Sequence, residues 1–203
     1  MFRNLLPLIP LAIGSLSLAL VVGGSKQQRA YRVEGHYLVS VRYPLQRHDI
    51  REFVTPGDPQ VLALYRQLGP YISNCLQWVC SEVDYRRDLG EFFQFPSETL
   101  TRRLGDCEDS SNLLTSLLRN FTSCYTVLGI YQGYGHAWCE HDGVVMETTY
   151  TYARPVPDPQ NYSPYIYFNE QLVVEVWPGA MRDLFEVERN EGRKLQLMAE
   201  VVE

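Results

Sequence analysis

The sequence predicts an α+β fold in which helices pack on an antiparallel sheet around one central helix. Four leucines within residues 110–120 recur at the spacing of a buried helical stripe. A mostly apolar run, residues 124–132, is typical of a central β-strand. The pair Asp142-Gly143 stands between two β-prone runs and predicts a tight hairpin turn. A buried helix and an antiparallel sheet are therefore expected to form the core.

Composition and charge are those of an ordinary globular protein. The chain of 203 residues and 23.4 kDa suffices for one main domain with its own core. Hydrophobic residues make up 45% of the chain and charged residues 21%. The net charge of −6 is not offset by any local cluster of Lys and Arg, which argues against binding to nucleic acid.

The N-terminal segment, residues 5–24, is free of charged residues and long enough to cross a bilayer. With Arg3 in front of it, residues 1–24 are expected to be a signal peptide or a single transmembrane anchor, a hydrophobic helix that precedes the main domain. This predicts an exported or membrane-anchored protein. The side of the membrane stays open, because Lys26 and Arg29 favour a cytoplasmic domain if the helix is retained. A buried core helix is the alternative, and the N-terminal position counts against it.

The main domain is expected to comprise residues 49–203, with residues 25–48 as a tether or edge strand before it. Its first helix is predicted to begin at Asp58 or Pro59 and to end at Leu68, before a Gly-Pro pair.

The remaining elements are predicted from the spacing of apolar residues and prolines. A second helix is expected over residues 71–85, followed by an irregular, Phe-rich segment, residues 88–101. Residues 151–168 contain four prolines and are predicted to lack regular structure. This Tyr/Pro-rich loop could wall a substrate cleft or pack as an ordinary surface loop. A last strand is expected over residues 172–177, before a charged, amphipathic end.

Cys107 is the first candidate for chemistry. Asp106 is a good N-cap candidate, which would place Cys107 in the first turn of the buried helix. Backbone N–H groups at a helix N-terminus favour thiolate over thiol. The neighbouring carboxylates of Glu108 and Asp109 oppose that shift, so a nucleophilic Cys107 needs a base.

The predicted hairpin supplies such a base. With Asp142 and Gly143 as a two-residue turn, strand pairing brings His136 diagonally beside Glu147 on the same face. Their Cβ atoms would lie roughly 7 Å apart, within reach for an imidazole and a carboxylate. A three-residue loop would put them on opposite faces unless a bulge restored the parity. The simplest register therefore makes Cys107 the nucleophile, His136 its base and Glu147 the group that orients the imidazole.

Short motifs within residues 53–149 agree with one another in order, spacing and predicted local structure. They are Phe95-Pro96-Ser97-Glu98-Thr99-Leu100, Gly105-Asp106-Cys107-Glu108-Asp109, Gly135-His136-Ala137-Trp138 and Met146-Glu147-Thr148-Thr149. In these motifs the chain resembles the transglutaminase-like superfamily of papain-related cysteine enzymes. The resemblance implies a papain/transglutaminase-like core with the Cys-bearing helix as its central element.

The resemblance also implies residue roles. In that family the Cys attacks a carbonyl carbon, the His shuttles the proton and an Asp usually holds the His. These roles would fall to Cys107, His136 and Glu147, the last with Glu in place of the usual Asp. Acyl transfer also needs about two hydrogen-bond donors for the oxyanion. The backbone N–H of Cys107 is one, and Gln94 is the candidate for the other, with an exposed loop glutamine as the alternative.

The predicted function is that of a Cys-His-Glu enzyme that acts on amide bonds of a peptide or protein through a thioester acyl-enzyme. Resolution by water would make it a peptidase or amidase and resolution by an amine an acyl transferase, and the residues leave both open. No metal or organic cofactor is needed. The alternative is a catalytically silent, membrane-tethered binding or assembly module that uses the Tyr/Pro-rich loop as a peptide groove. The intact set of three side chains argues against it.

The other cysteines are expected to be structural. Cys139 shares a strand with His136 at opposite parity and is predicted to face the core, and Cys124 is predicted to be buried. Cys75 and Cys80 are unsuited to a direct disulfide, and the odd total of five leaves at least one free thiol.

A zinc site is a further alternative. His136, Cys139 and His141, with Glu140 and Glu147, are zinc-compatible residue types. Their spacing matches no familiar zinc pattern, and ligands of mixed parity would point to both faces of the strand. The sequence therefore disfavours a metal centre.

Overall fold

The computed structural model describes residues 30–33, 35–41, 43, 46–87, 92–188 and 190. The helices are α1 (Pro59–Leu68), α2 (Ile72–Glu82), α3 (Pro96–Arg102), α4 (Cys107–Leu118) and α5 (residues 180–188). The strands are β1 (Ala30–Val33), β2 (His36–Ser40), β3 (Arg47–Asp49), β4 (Asp84–Tyr85), β5 (Leu104–Gly105), β6 (Tyr125–Tyr131), β7 (Tyr134–His141), β8 (Val144–Met146), β9 (Tyr162–Phe168) and β10 (Val173–Glu175). The predicted α+β class is confirmed.

The hydrophobic N-terminal helix expected over residues 1–24 lies outside the described residues. Among the residues that the structure does describe, no helix is both long and apolar enough to span a membrane.

The main sheet is antiparallel and has the strand order β10-β9-β6-β7-β8. Strand β6 is central, as its apolar run predicts. Strands β7 and β8 pair with His141 opposite Val144. The two turn residues, Asp142 and Gly143, have φ values of 50° and 76°, as a two-residue hairpin turn with positive φ at both positions requires. The predicted turn and register are therefore confirmed.

Helix α4 packs against β6 and β7 and is buried on every face rather than along one stripe. Its four leucines join one apolar cluster with residues from α1 and α2. Its serine and threonine residues can also be buried because their hydroxyl groups form hydrogen bonds inside the protein. Ser116 donates to the carbonyl of Asn112 at 2.7 Å, and Thr115 accepts from Thr126 at 2.9 Å. These bonds let a serine- and threonine-rich helix occupy the centre of the fold.

The first two helices follow the prediction with one correction. Helix α1 has Asp58 at its N-cap, with its side chain accepting from the backbone of Gln60 and Val61. Helix α2 ends at Glu82 instead of Tyr85. The chain leaves it as β4, which pairs in parallel with β5 immediately before Cys107.

Helix α3 lies in the segment predicted to be irregular, and this prediction was wrong for residues 96–102. Pro96 occupies the first helical turn, where its missing N–H costs nothing. The carboxylate of Glu98 accepts from the backbone N–H of Phe95 at 2.9 Å. A proline start and a returning Glu are helix signals that the phenylalanine-rich composition obscured.

Strand β9 is a second correction, because the prolines of residues 151–168 predicted no regular structure there. Pro164 lies opposite Gly129, where the β6–β9 register shifts. The ladder is interrupted at such an irregularity, so a residue without an N–H is tolerated.

The described part of residues 25–48, the segment expected to be a tether or an edge strand, forms strands that pack into the core. Strands β1, β2 and β3 form a separate antiparallel sheet. Val39 and Val41 are buried in one apolar cluster with Ile166 of β9 and with Met181 and Leu184 of α5. Helix α5 is thereby fixed to the same core as the main sheet.

Candidate active site

Cys107 is the first residue of α4, as predicted. Asp106 occupies the N-cap position with an extended backbone, but its carboxylate does not cap the helix. All five cysteines lie in the described part of the chain and none forms a disulfide; Cys107 is partly exposed and the other four are buried. The accessible thiol is therefore the one at the helix N-terminus.

A pocket brings Cys107 and His136 to one place on the molecule. Its lining includes Tyr85 and Arg87, Cys107 and Glu108, His136 and Ala137, and Phe185 and Glu188. These residues come from the chain around β4, from α4, from β7 and from α5. The two halves of the predicted site therefore share one cleft.

His136 and Glu147 are joined by a hydrogen bond of 2.7 Å between Nε2 and Oε2. Their side chains are 15% and 2% exposed. Burial alone would raise the pKa of Glu147, but the hydrogen bonds from His136 and Thr149 lower it to about 2. Glu147 is therefore ionised at neutral pH and accepts the bond, which leaves His136 Nδ1 as the nitrogen that can take up a proton.

Glu147 accepts from further donors that the motifs did not indicate. Its Oε1 accepts from the backbone N–H of Thr149 at 2.9 Å and from the Thr149 hydroxyl at 2.7 Å. Its Oε2 accepts from the Tyr162 hydroxyl at 2.8 Å, in addition to His136. The sequence contained only one signal for Tyr162, the tyrosine-rich composition of residues 151–168.

Thr148 connects the Glu147 segment to the cysteine helix. Its hydroxyl lies 2.8 Å from that of Ser110 and 3.1 Å from that of Ser111, both on α4. All three side chains are buried. These bonds fix the distance between the segment that carries Glu147 and the helix that carries Cys107.

His136 is surrounded by aromatic rings. The ring centroid of Tyr131 lies 5.7 Å away, that of Tyr162 6.1 Å and that of Trp138 6.3 Å. Aromatic faces stabilise a nearby cation, so this environment suits an imidazole that becomes protonated.

The thiol of Cys107 is held in its protonated form. Burial and the charges of Glu108 and Asp106 raise its pKa well above the ordinary value, against the opposing effect of the hydrogen bond with the Ala137 backbone. The thiol donates to Glu108 Oε2 at 3.2 Å. Its side-chain hydrogen bond within the described residues therefore goes to Glu108 and not to His136. As the sequence indicated, the helix N-terminus does not make a thiolate against these carboxylates, and attack requires a base.

Gln94, the residue expected to donate to the oxyanion, is not among the residues that line the pocket. Its side-chain amide donates to a carboxylate oxygen of Asp109 and to the Leu104 carbonyl, the latter at 3.3 Å. Its side-chain oxygen accepts from Arg102 at 3.0 Å. Both amide hydrogens are thus engaged inside the protein, where Gln94 is 3% exposed.

The zinc-compatible residues do not gather at one point: His136 contacts Glu147, but Cys139 and His141 have partners elsewhere. Cys139 is buried on the α4 side of the sheet, where Thr115 donates to its sulfur at 3.3 Å. His141 lies 2.6 Å from the Ser123 carbonyl through its Nδ1. Among the described residues, no group of three or more His, Cys, Asp or Glu side chains could hold a metal ion.

Comparisons with known proteins yield structural neighbours only. No family model matches the sequence, and a comparison with curated proteins finds no match. Among solved structures, the chain is similar to Legionella pneumophila LapG, with 15% identity and a TM-score of 0.46, over 63% of this chain and 84% of that one. It is also similar to a Cytophaga hutchinsonii protein proposed to be a cysteine protease, with 18% identity and a TM-score of 0.42, over 56% of this chain and 42% of that one.

Both of these neighbours have TM-scores below 0.5 and identities below 25%. With identities and TM-scores this low, they carry no conclusion about the activity of this chain. A proposal about the activity therefore has to rest on the side chains of the site.

Proposed function

We propose that the chain is a cysteine-dependent enzyme that acts on amide bonds of a peptide or protein. Cys107 is the nucleophile, His136 the general acid and base, and Glu147 the group that orients the imidazole. The observation that carries this proposal is the 2.7 Å bond from an ionised Glu147 to His136, a residue that lines the same pocket as Cys107.

The first half of the reaction forms an acyl-enzyme. His136 Nδ1 accepts the thiol proton of Cys107 while the sulfur attacks the amide carbonyl carbon. The carbonyl oxygen becomes an oxyanion and accepts from the backbone N–H of Cys107, which has no partner inside the helix at this position. The imidazolium then gives its proton to the amine nitrogen, the C–N bond breaks, and a thioester and a free amine result.

The second half releases the acyl group. His136 takes a proton from a water molecule, whose oxygen attacks the thioester carbon, and returns it to the sulfur as the C–S bond breaks. The product is a carboxylic acid, and Cys107 is again a thiol. Hydrolysis is the proposed outcome because Cys107 is partly exposed; an amine that attacks in place of water would give acyl transfer by the same steps.

The proposed reaction requires a base that accepts the thiol proton of Cys107. Burial and two carboxylates hold Cys107 as a thiol, so the ionisation has to be coupled to proton transfer at His136. The ionised Glu147 stabilises the imidazolium that forms, and the aromatic rings around His136 add to that stabilisation.

The test is the rate of Cys107 alkylation by iodoacetamide as a function of pH, followed by mass spectrometry of each cysteine peptide. Wild type is compared with His136→Ala and Glu147→Gln. The matched control is His48→Ala, which removes a histidine that is bonded to Glu52 at 2.8 Å and does not line the pocket.

We expect His136→Ala to slow alkylation at pH 7 by about a hundredfold and His48→Ala to leave it unchanged. Incubation of the wild type with a peptide mixture should then release new termini or trap a thioester at Cys107. If Cys107 reacts as a free thiol with a pKa near ~8.5 in all variants, the proposal is wrong and the silent binding module replaces it.

A further inference from the structure

We infer that Tyr162 is a positioning residue of this site, whose hydroxyl holds Glu147 in the orientation that keeps His136 Nε2 hydrogen-bonded and Nδ1 available to the thiol. The inference rests on the proposed function and adds a residue to it that none of the sequence motifs contains.

Four hydrogen bonds hold the carboxylate of Glu147. Each carboxylate oxygen accepts two hydrogen bonds: Oε1 both from Thr149, and Oε2 from His136 and Tyr162. A glutamate has one more rotatable bond than the aspartate more usual in this family, and its terminal torsion has a broad energy minimum. Donors on both oxygens restrict that torsion, so the orientation of Oε2 no longer depends on His136 alone.

The Tyr162 hydroxyl can only donate its hydrogen bond to Glu147. Burial and the charge of Glu147 raise the pKa of Tyr162. The phenol therefore keeps its proton throughout the neutral range, and an ionised carboxylate can only accept it.

The Tyr162 ring is held in place by two neighbouring aromatic rings. It stacks on Tyr131 with a centroid distance of 4.3 Å and meets the Trp138 ring edge to face at 5.1 Å. Tyr131 in turn donates to Asp158 at 3.1 Å. Tyr162 is 7% exposed. A hydroxyl on a ring packed in this way holds its acceptor without losing much side-chain entropy, which is the condition for a preorganised site.

Two neighbouring groups of the sheet, on different strands, thus hold the same carboxylate. His136 is on β7 and Tyr162 on β9, and both are directed at one oxygen of Glu147. Without the Tyr162 hydroxyl, Glu147 keeps its charge but gains freedom to turn away from His136. The loss should therefore appear in proton transfer from Cys107 and not in the binding of a reagent.

The test compares Tyr162→Phe, which retains the packed ring, with Tyr167→Phe as the matched control. Tyr167 is on the same strand, and its hydroxyl approaches Glu140 at 3.5 Å, away from the pocket. The measured quantity is the second-order rate of Cys107 alkylation by iodoacetamide from pH 6 to pH 10, together with the melting temperature of each variant.

We expect Tyr162→Phe to slow alkylation at pH 7 by about tenfold, the loss of one hydrogen bond to a charged group. The difference should shrink as the pH rises, because more of the thiol then ionises without a base, and Tyr167→Phe should match wild type throughout. In a His136→Ala background, Tyr162→Phe should have no further effect, because its action passes through the imidazole. A general loosening of the fold would slow the reaction in both backgrounds.

The outcomes separate this inference from the function on which it rests. If Tyr162→Phe reacts like wild type while His136→Ala and Glu147→Gln are slow, Tyr162 has no positioning role and the proposed function stands. If none of the three changes the rate, the proposed function itself is wrong. Should Tyr162→Phe melt well below wild type, the rates of both proteins are compared at a temperature at which the variant is fully folded. An unchanged rate at pH 7 in the folded Tyr162→Phe would then overturn the inference.

Discussion

The side chain of Glu188 lies against the α-carbon of Gly135, the residue that precedes His136. A Cβ placed on Gly135 would meet Glu188 Cγ at 2.7 Å and its Oε1 at 2.9 Å. Both residues line the pocket, together with Phe185 from the same helix. Helix α5 thus forms the wall of the cleft on the His136 side, and the missing side chain at position 135 makes room for it.

Gly135→Ala is therefore expected to push the Glu188 side chain aside. The obstacle is a flexible glutamate side chain and not backbone, so the free energy of unfolding should fall by only about 1 kcal/mol. Adding Glu188→Ala should restore it, which chemical denaturation of the single and double variants can measure. A double variant no more stable than Gly135→Ala would show that contact with Glu188 is not what destabilises the single variant.

Gly129→Ala is expected to be far more damaging, because the obstacles there are rigid. A Cβ at this position would lie 2.2 Å from the Ser163 carbonyl oxygen and 2.6 Å from Trp138 Cη2. Strands β6 and β9 would have to separate, at a cost of about 3 kcal/mol in the free energy of unfolding. Gly57→Ala is the matched control, since a Cβ there meets nothing within 4 Å. Equal urea midpoints for the two variants would contradict the close approach of the strands.

Glu108→Gln is expected to make Cys107 more reactive. After burial, the charge of Glu108 is the largest influence that raises the pKa of Cys107, and Glu108 also accepts the thiol proton in a hydrogen bond. At a pH where Glu108 is ionised, the substitution removes its charge, so the pKa of the thiol should fall and its alkylation should become about tenfold faster.

The control is Glu82→Gln, which removes an exposed carboxylate of α2 that pairs with Arg103 at 3.8 Å. Glu108→Gln should, in addition, stabilise the fold at neutral pH. Burial, with the charges of Asp106 and Asp109, raises the pKa of Glu108, so its ionisation works against folding as the pH rises. A slower alkylation in Glu108→Gln would refute this description of the thiol.

Glu147 is expected to make the fold sensitive to acid. Its pKa of about 2 lies below the ordinary value of 4.5, so between these values the unfolded chain binds more protons than the folded one. The contribution is complete above pH 4.5 and is lost as the pH falls towards 2, and it amounts to about 3 kcal/mol.

Urea unfolding of wild type and Glu147→Gln between pH 7 and pH 3 measures this contribution. The advantage of wild type should shrink as the pH falls, because protonated Glu147 no longer accepts four hydrogen bonds. Asp49, with a pKa also lowered to about 2, is present in both proteins and cancels. A difference that stays constant with pH would mean that Glu147 is not ionised in the folded state.

The pairing of His136 with Glu147 could be predicted from the sequence because it depends on local rules. The turn residues Asp142 and Gly143 determine the register of β7 and β8, and the alternation of side chains then puts both groups on one face. The position of Cys107 is equally local, since it follows from the apolar spacing of its own helix and from the N-cap position of Asp106.

Tertiary contacts overrode the local rules in other segments. Pro164 predicted an irregular loop, but a register shift between β6 and β9 accommodates it within a strand. Gln94 had the right residue type for an oxyanion donor, but the nearby carboxylate of Asp109 takes up its amide. In both cases the deciding partner is more than ten residues away in sequence, and a local pattern carries no information about such a partner.

What the sequence by itself determined about this protein is the α+β class, the helix that begins at Cys107 and the hairpin that carries His136 towards Glu147. Only the tertiary structure decided that Cys107 and His136 share a pocket, that Tyr162 donates to Glu147 and that Phe185 and Glu188 close one side. The reason is physical. Periodicity and turn chemistry act over a few residues, whereas a site is completed by side chains that strand order and core packing bring together from distant parts of the chain.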